Sequence, residues 1–250
     1  MRILFRLALA LLLGLAAVPV RAENSDALWQ IVHDRCVPDQ QANGAPAPCL
    51  MVDLAHGYSV LKDRDGATQF LLIATAKVTG IEDPAVLAPS TPNYFAAAWQ
   101  SHGLVSQRAQ QTLPDDEIGL AINSAYGRSQ NQLHIHIDCL RSDVVDALRA
   151  HGAAVGTEWA PFPVPLVGHP YIARRVAGTD LSDANPFMLL ADGLPGARAE
   201  MGHWTIVAAP AAPAGAPGFL LLADQFDPTT MDRASGEELQ DHTCAIKAGG

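Results

Sequence analysis

The stretch that decides the fold is Asn131-Gln132-Leu133-His134-Ile135-His136-Ile137-Asp138-Cys139-Leu140, in which apolar and polar residues alternate. A period of two is typical of a β-strand, whose successive side chains point to opposite faces of a sheet. One face carries His134, His136 and Asp138. The other face is apolar and is expected to point into the core: Leu133, Ile135, Ile137 and Cys139. Two imidazoles and a carboxylate in one row predict a site of chemistry.

The remainder of the chain predicts an α+β protein with an antiparallel sheet. The 250 residues are 49% hydrophobic, which is enough for a large core. A net charge of -10 argues against binding to nucleic acid, which requires a basic face. Periodicity predicts helices at 26–36, 94–113, 144–151 and 233–241. It also predicts neighbouring strands at 69–78, 117–123, 204–209 and 219–223, with a hairpin joining the last two.

The N-terminus carries an export signal. Arg2 and Arg6 precede an uninterrupted apolar run from Leu7 to Val20, and Ala22 ends it with a small residue. We predict that residues 1–22 are a signal peptide or a membrane anchor, and that residues 23–250 form one catalytic domain. In either case the domain is exported.

Export makes the four cysteines informative, because disulfides persist in oxidising compartments. Cys36 and Cys49 bracket a polar segment that contains Pro and Gly, and a bridge between them would pin it. Cys139 then pairs with Cys244 and ties the C-terminal tail to the back of the histidine strand. Two other pairings are formally open. The chain has no C-x-x-C spacing, the cysteine pattern that would indicate a zinc site.

Three interpretations of the histidine row compete. Two histidines two residues apart on a strand could bind zinc or iron with Asp138, but no further ligand follows at a fixed offset. The row could also be a set of solvated strand positions. The third interpretation is catalysis, in which an imidazole acts as an acid, a base or a nucleophile.

The row and its surroundings resemble the histidine-triad superfamily of nucleotidyl hydrolases and transferases. Within it, the chain is most similar to the bacterial CDP-diacylglycerol pyrophosphatase family, and the similarity covers nearly the whole chain after residue 22. The segments that carry it, besides the histidine strand and the Cys36–Cys49 loop, are 61–63, 89–93, 120–124, 127–131, 168–175 and 241–244.

The resemblance implies a histidine-triad-like fold, with helices on one side of a five-stranded antiparallel sheet and an elaborated C-terminal half. It implies hydrolysis of CDP-diacylglycerol to CMP and phosphatidate without a cofactor or metal. His136 would be the nucleophile that forms a cytidylyl-histidine, and His134 an orienting partner. Asn123, Gln130 and Asn131 match positions that contact phosphate. The implied partners are the nucleotide-lipid substrate and a membrane surface or inner-membrane anchor, on the periplasmic side; no oligomeric state is implied.

Asp138 departs from the pattern, because triad hydrolases have a third histidine there that helps the leaving group depart. An ionised carboxylate cannot donate a proton, so we expect Asp138 to orient an imidazole or the attacking water. His169 and Arg174 are candidate partners of the substrate's phosphates in this acidic chain, the alternative for each being a solvated surface charge. His242 is either drawn to the site by the Cys139 bridge or an ordinary surface histidine.

The leading prediction is therefore an exported, metal-independent phosphoric anhydride hydrolase. The first alternative is a metal-dependent hydrolase or oxygenase built on His134, His136 and Asp138. The second is a binding module that holds a nucleotide on the same sheet without turnover.

Overall fold

In a computed structural model, which describes residues 24–211 and 217–245, one antiparallel sheet runs through both halves of the chain. Nine strands in the described residues form this sheet in the order β1-β2-β3-β5-β4-β8-β9-β7-β6. Their bounds are β1 Met51–Asp53, β2 Tyr58–Lys62, β3 Phe70–Ala74, β4 Ile118–Ile122, β5 His134–Cys139, β6 Ala160–Pro161, β7 Ile172–Ala177, β8 Trp204–Pro210 and β9 Gly218–Gln225. The predicted α+β class with an antiparallel sheet is confirmed.

The histidine strand β5 lies inside the sheet, between β3 and β4. Its register aligns His136 with Leu71 of β3 and with Ala121 of β4, and Ala121 with Val207 of β8. Aligned residues of antiparallel strands project to the same face. That face, which we call the histidine face, therefore carries the site.

The helices cover both faces of the sheet. They are α1 Ala27–Ile31, α2 Val37–Asn43, α3 Tyr94–Gln100, α4 Gly103–Ala109, α5 Ser142–His151 and α6 Pro186–Gly193, and a π-helical turn, Val32–Cys36, joins α1 to α2. Residues of α3, α4 and α6 pack on the apolar side of the sheet, in the largest cluster of the core. The resemblance implied five strands and helices on one side. The structure differs because β7, β8 and β9 of the C-terminal half extend the same sheet.

The histidine face carries a hydrophobic cluster at each of its two ends. At one end, Val32 and Cys36 pack against Leu71 and Ile73. At the other, Val144 and Leu148 of α5 belong to a cluster that includes Val207 and Leu222, with the 3₁₀ turn Gly236–Leu239 beside them. The row of polar side chains on β5 lies between these two hydrophobic clusters.

Two predicted helices are wrong in extent. The helix predicted at 94–113 is broken at Ser101 and restarts at Gly103, a poor helix former, and it ends at Gln110 in a left-handed conformation. The helix predicted at 233–241 is only the 3₁₀ turn Gly236–Leu239. The Ser235 side chain does not cap this turn, and the Glu238 carboxylate accepts hydrogen bonds from His169 and Tyr171.

Both disulfides pair as predicted. Cys36 is bonded to Cys49, and Cys139 to Cys244. The two bridges suit an oxidising compartment and agree with export. The predicted signal peptide or anchor, residues 1–22, lies outside the described residues. Among residues 24–211 and 217–245, no helix has the length and hydropathy of a bilayer span.

Candidate active site

His136 is buried on the floor of the histidine face, and both of its ring nitrogens have close neighbours. Nδ1 lies 2.5 Å from Nε2 of Gln69, which directly precedes β3. Nε2 lies 2.8 Å from Oε2 of Glu237, an ion-pair distance, although it lacks the geometry of a hydrogen bond. The ring of His134 meets that of His136 edge to face, with centroids 4.9 Å apart. The imidazole of His136 is therefore fixed in orientation from two sides.

Glu237 reaches His136 from the 3₁₀ turn that lies on the sheet. Asn123 donates from Nδ2 to Oε2 of Glu237 at 2.6 Å, and its own Oδ1 accepts from the Glu237 backbone N–H. Burial alone raises the pKa of Glu237, but the neighbouring His136 outweighs it, and the pKa lies well below its usual range. An anionic oxygen is thus held between Asn123 and His136.

Gly236 allows this turn to approach the sheet. A Cβ atom at Gly236 would lie 2.5 Å from Oγ1 of Thr205 and 2.7 Å from Cγ2 of Val207, well inside van der Waals contact. The Gly236 N–H also donates to Oγ1 of Thr205 at 2.8 Å. Any side chain at this position would push the turn off the sheet and away from Asn123, whose Oδ1 accepts from the Glu237 N–H.

We expect Gly236→Ala to reduce turnover by roughly tenfold or more, since a displacement near 1 Å is enough to cost activity. Gly103→Ala is the matched control, because a Cβ at Gly103 meets nothing within 4 Å. Steady-state kinetics of both variants, with circular dichroism to verify the fold, measure the effect. Equal activity of the two variants would show that the position of the turn is unimportant.

His134 is a neutral imidazole with a defined tautomer. Its Nδ1 lies 2.6 Å from the backbone oxygen of Gln132, which can only accept a hydrogen bond, so Nδ1 carries the proton. Burial, assisted by the nearby His136, lowers the pKa of His134 to about 4. His134 therefore stays uncharged at neutral pH, beside the ring of His136.

Asp138 is completely buried and binds an imidazole from the other end of the chain. Its Oδ1 accepts from Oγ1 of Thr68 at 2.6 Å, and its Oδ2 lies 3.0 Å from Nδ1 of His242. The hydrogen bond to Asp138 is the main reason why the pKa of His242 is raised. His242 keeps about a third of its side chain exposed.

The C-terminal segment that carries His242 is held at the end of β5. The disulfide of Cys244 to Cys139 attaches it to the apolar side of the strand, and the Asp241 N–H donates to the Cys139 carbonyl at 2.8 Å. The His242 carbonyl accepts from the Ala67 N–H at 2.7 Å. The segment therefore places its imidazole on the histidine face while its cysteine lies on the other.

The three residues expected to contact phosphate, Asn123, Gln130 and Asn131, lie in two different surroundings. Gln130 bonds through its side-chain amide to the backbone of Leu28 and of Asn24, and the Asn131 N–H donates to the Ser25 carbonyl. Both thus fasten the N-terminal segment near the start of β5. The contacts of Asn123, by contrast, bring it to His136 through Glu237.

Arg174 lies on the opposite face of the sheet from His136. It is aligned with Leu221 of β9, one residue out of phase with the histidine face, and its guanidinium lies 5.8 Å from the Trp159 ring. Arg174 is therefore not among the side chains that converge on His136.

His169 lies among carboxylates. Its Nδ1 is 2.7 Å from Oε1 of Glu238, and Asp224 and Asp232 are next to it. Burial, together with the charge of Asp232, raises the pKa of Asp224 to about 7. Among the described residues, the group with the composition and spacing to hold a metal ion is His169, Asp224 and Glu238, and not the histidine row.

The sequence did not point to Gln69 or to the role of Glu237. Both contact His136 from segments that are distant in sequence, and an isolated Gln or Glu carries no motif. The arrangement they complete is a fixed imidazole beside an anion-binding position, with a second imidazole held by a buried carboxylate. Such a set of groups is able to form a covalent bond to phosphorus and to protonate a leaving oxygen.

Comparisons with known proteins match the chain over almost its whole length. A family model described as CDP-diacylglycerol pyrophosphatase matches residues 23–248. A curated relative, "CDP-diacylglycerol pyrophosphatase" of Yersinia pestis, is 46% identical over 245 residues, which cover 97% of this chain and 94% of the relative. A solved structure of a DUF4931 family protein from Bacillus cereus is 12% identical, with a TM-score of 0.43, and the superposition covers 72% of this chain and 87% of that protein.

Proposed function

Because the chain belongs to the CDP-diacylglycerol pyrophosphatase family, we propose that His136 is the nucleophile that attacks the phosphorus attached to cytidine. The protein is a hydrolase that acts on the pyrophosphate of CDP-diacylglycerol. Cleavage of that bond by water yields CMP and phosphatidate. The proposal concerns how the residues of the histidine face bring this about.

In the first step, Nε2 of His136 forms a bond to the cytidylyl phosphorus. The bond from phosphorus to the bridging oxygen breaks, and phosphatidate leaves with the electron pair. Attack requires a lone pair on Nε2, so the proton must sit on Nδ1. A half-turn of the Gln69 side-chain amide presents Oε1 to Nδ1 and stabilises this tautomer. In the second step, water attacks phosphorus, the N–P bond breaks and CMP is released.

One observation carries the proposal: an anionic oxygen already occupies the position next to Nε2. Oε2 of Glu237 accepts from Nδ2 of Asn123 at 2.6 Å and lies 2.8 Å from Nε2 of His136. A phosphate oxygen has the same charge and the same preference for donors. We infer that the substrate's phosphate replaces the Glu237 carboxylate there, with Asn123 as its donor. This is the role that the resemblance implied for Asn123.

Asp138 and His242 together take the part of the third histidine of triad hydrolases. Asp138 holds Nδ1 of His242, and the raised pKa of His242 favours the protonated ring. Protonated His242 can donate from Nε2 to the bridging oxygen as phosphatidate departs. The expectation that Asp138 orients an imidazole thus acquires a specific partner.

The fate of the water oxygen tests which phosphorus is attacked. We expect hydrolysis in water enriched in ¹⁸O to place the heavy oxygen in CMP, because water attacks the cytidylyl-histidine. Mass spectrometry of the two products measures this. Label in phosphatidate would mean attack at the lipid phosphorus and would contradict the proposal.

We further propose that the enzyme works at the periplasmic side of the bacterial inner membrane, where its lipid substrate is embedded. The apolar segment from Leu7 to Val20 and the two disulfides support this location. Exposed Leu50, Met51 and Leu54, at and beside edge strand β1, offer apolar contact to a lipid surface.

A further inference from the structure

A second cluster of ionisable side chains lies on the histidine face, three strands away from His136. It consists of His169, Asp224, Asp232 and Glu238. On β9, Leu222 is aligned with Val207 of β8, which is aligned in turn with Ala121 and His136, so Leu222 lies on the histidine face. Asp224 follows Leu222 by two residues and therefore lies on the same face. Three strand spacings correspond to about 14 Å, so the cluster is separate from the catalytic imidazole.

The four side chains converge on one point. From Nδ1 of His169 the distances are 2.7 Å to Oε1 of Glu238, 3.5 Å to Oδ2 of Asp232 and 3.9 Å to Oδ2 of Asp224. The donor atoms of His169, Asp224 and Glu238 all lie within 4.8 Å of one another. Three carboxylates this close repel one another unless positive charge lies between them.

Asp224 contributes a buried oxygen atom that has no hydrogen-bond donor within the described residues. Its side chain is 95% buried, and Oδ2, the oxygen directed at the cluster, accepts no hydrogen bond within the described part of the chain. A buried carboxylate oxygen without a donor is costly. A cavity of about 550 Å³ opens onto His169, Asp224 and Asp232, with Trp204 in its wall. The cavity gives a ligand access to the unsatisfied oxygen.

We propose that this cluster is a binding site for a divalent transition-metal ion of the Zn²⁺ or Mn²⁺ type, with His169, Asp224 and Glu238 as ligands and Asp232 beside them. One imidazole nitrogen with two or three carboxylate oxygens is a donor set that such ions accept, whereas Ca²⁺ takes six to eight oxygens. Oη of Tyr171 donates to Oε1 of Glu238 at 2.9 Å. Such outer hydrogen bonds orient the carboxylate ligands of metal sites.

One of the proposed ligands, Glu238, is the neighbour of Glu237 in the 3₁₀ turn, so a bound metal ion would contact this turn. Glu238 is part of the 3₁₀ turn Gly236–Leu239, whereas His169 and Asp224 are held by other parts of the fold. A bound ion would thus clamp the turn to β9 and keep it on the sheet. The ion is structural and takes no part in the attack at His136.

Calorimetric titration of the purified full chain with ZnCl₂, after treatment with chelator, tests the proposal. We expect one Zn²⁺ per chain, at least tenfold weaker binding for Asp224→Asn and for His169→Gln, and unchanged binding for the exposed control Asp183→Asn. Thermal unfolding provides a second readout: Zn²⁺ should raise the Tm of the wild type and not that of Asp224→Asn. Asp224→Asn should remain folded, because the substitution removes a buried charge. If Asp224→Asn does not fold, His169→Gln provides the same test.

Three results would overturn the proposal. The first is absence of Zn²⁺ and Mn²⁺ binding to the wild type. The second is binding that survives in Asp224→Asn and His169→Gln but is lost in His136→Ala, which would place the ion on the histidine strand. The third is a preference for Ca²⁺ over Zn²⁺. None of these results depends on the covalent mechanism, because binding is measured without substrate.

Discussion

His136→Ala is expected to lower the turnover of CDP-diacylglycerol by at least roughly a thousandfold, because loss of a nucleophile removes the reaction path through the covalent intermediate. His136 packs against His134 and contacts Gln69 and Glu237, yet its ring is not part of a hydrophobic cluster. The variant should therefore remain folded. Substrate should still bind, since Asn123 is retained.

Steady-state hydrolysis of CDP-diacylglycerol, followed by release of CMP, measures the loss. His56→Ala is the matched control, because His56 is an exposed histidine at the turn that follows β1. It should be as active as the wild type. Turnover of His136→Ala within tenfold of the control would exclude His136 as the nucleophile.

His242→Gln is expected to slow turnover by about a hundredfold, the lower end of general acid catalysis. The effect is modest because phosphatidate is already a stable anion near neutral pH. It should nearly vanish with the 4-nitrophenyl ester of CMP, whose leaving group needs no proton. A merely structural role of His242 would slow both substrates equally, and that outcome would contradict its assignment as the acid.

Asp138→Asn should act through His242. Asp138 raises the pKa of His242, and Glu237 and Asp63 add to the effect, so the protonated donor persists at higher pH than an ordinary imidazole allows. Activity that depends on this proton is lost as pH rises through the raised pKa. In Asp138→Asn we expect the alkaline limb of the kcat profile to move to lower pH. The double variant should be no slower than His242→Gln, since coupled residues are not additive.

The central strand could be predicted because the alternation that identifies a strand lies entirely within the strand's own residues. Alternation from Leu133 to Asp138 identifies a strand, and the structure has β5 at His134–Cys139. The disulfides were also predictable, because an exported chain is expected to form them and four cysteines allow only three pairings. The three polar residues lie on one face by the geometry of any strand.

Contacts between distant segments could not be predicted in the same way. Gln69 and Glu237 contact His136 across 67 and 101 residues of sequence, and no local pattern reports strand register. Arg174 was wrongly placed near the substrate's phosphates, because a shift of one residue along β7 moves a side chain to the other face of the sheet. The helix predicted at 233–241 failed because tertiary contacts of Glu237 and Glu238 outweigh local helix preference.

The covalent intermediate at His136 is tested most directly by trapping it. CDP-diacylglycerol labelled with ³²P in the phosphate attached to cytidine is mixed with the enzyme and quenched in alkali within milliseconds, since phosphorus–nitrogen bonds to histidine survive base. Our account predicts label on the wild-type chain, localised by mass spectrometry to the peptide containing His136, and none on His136→Ala. Rapid turnover by the wild type with no trapped label, or label on another residue, would contradict it.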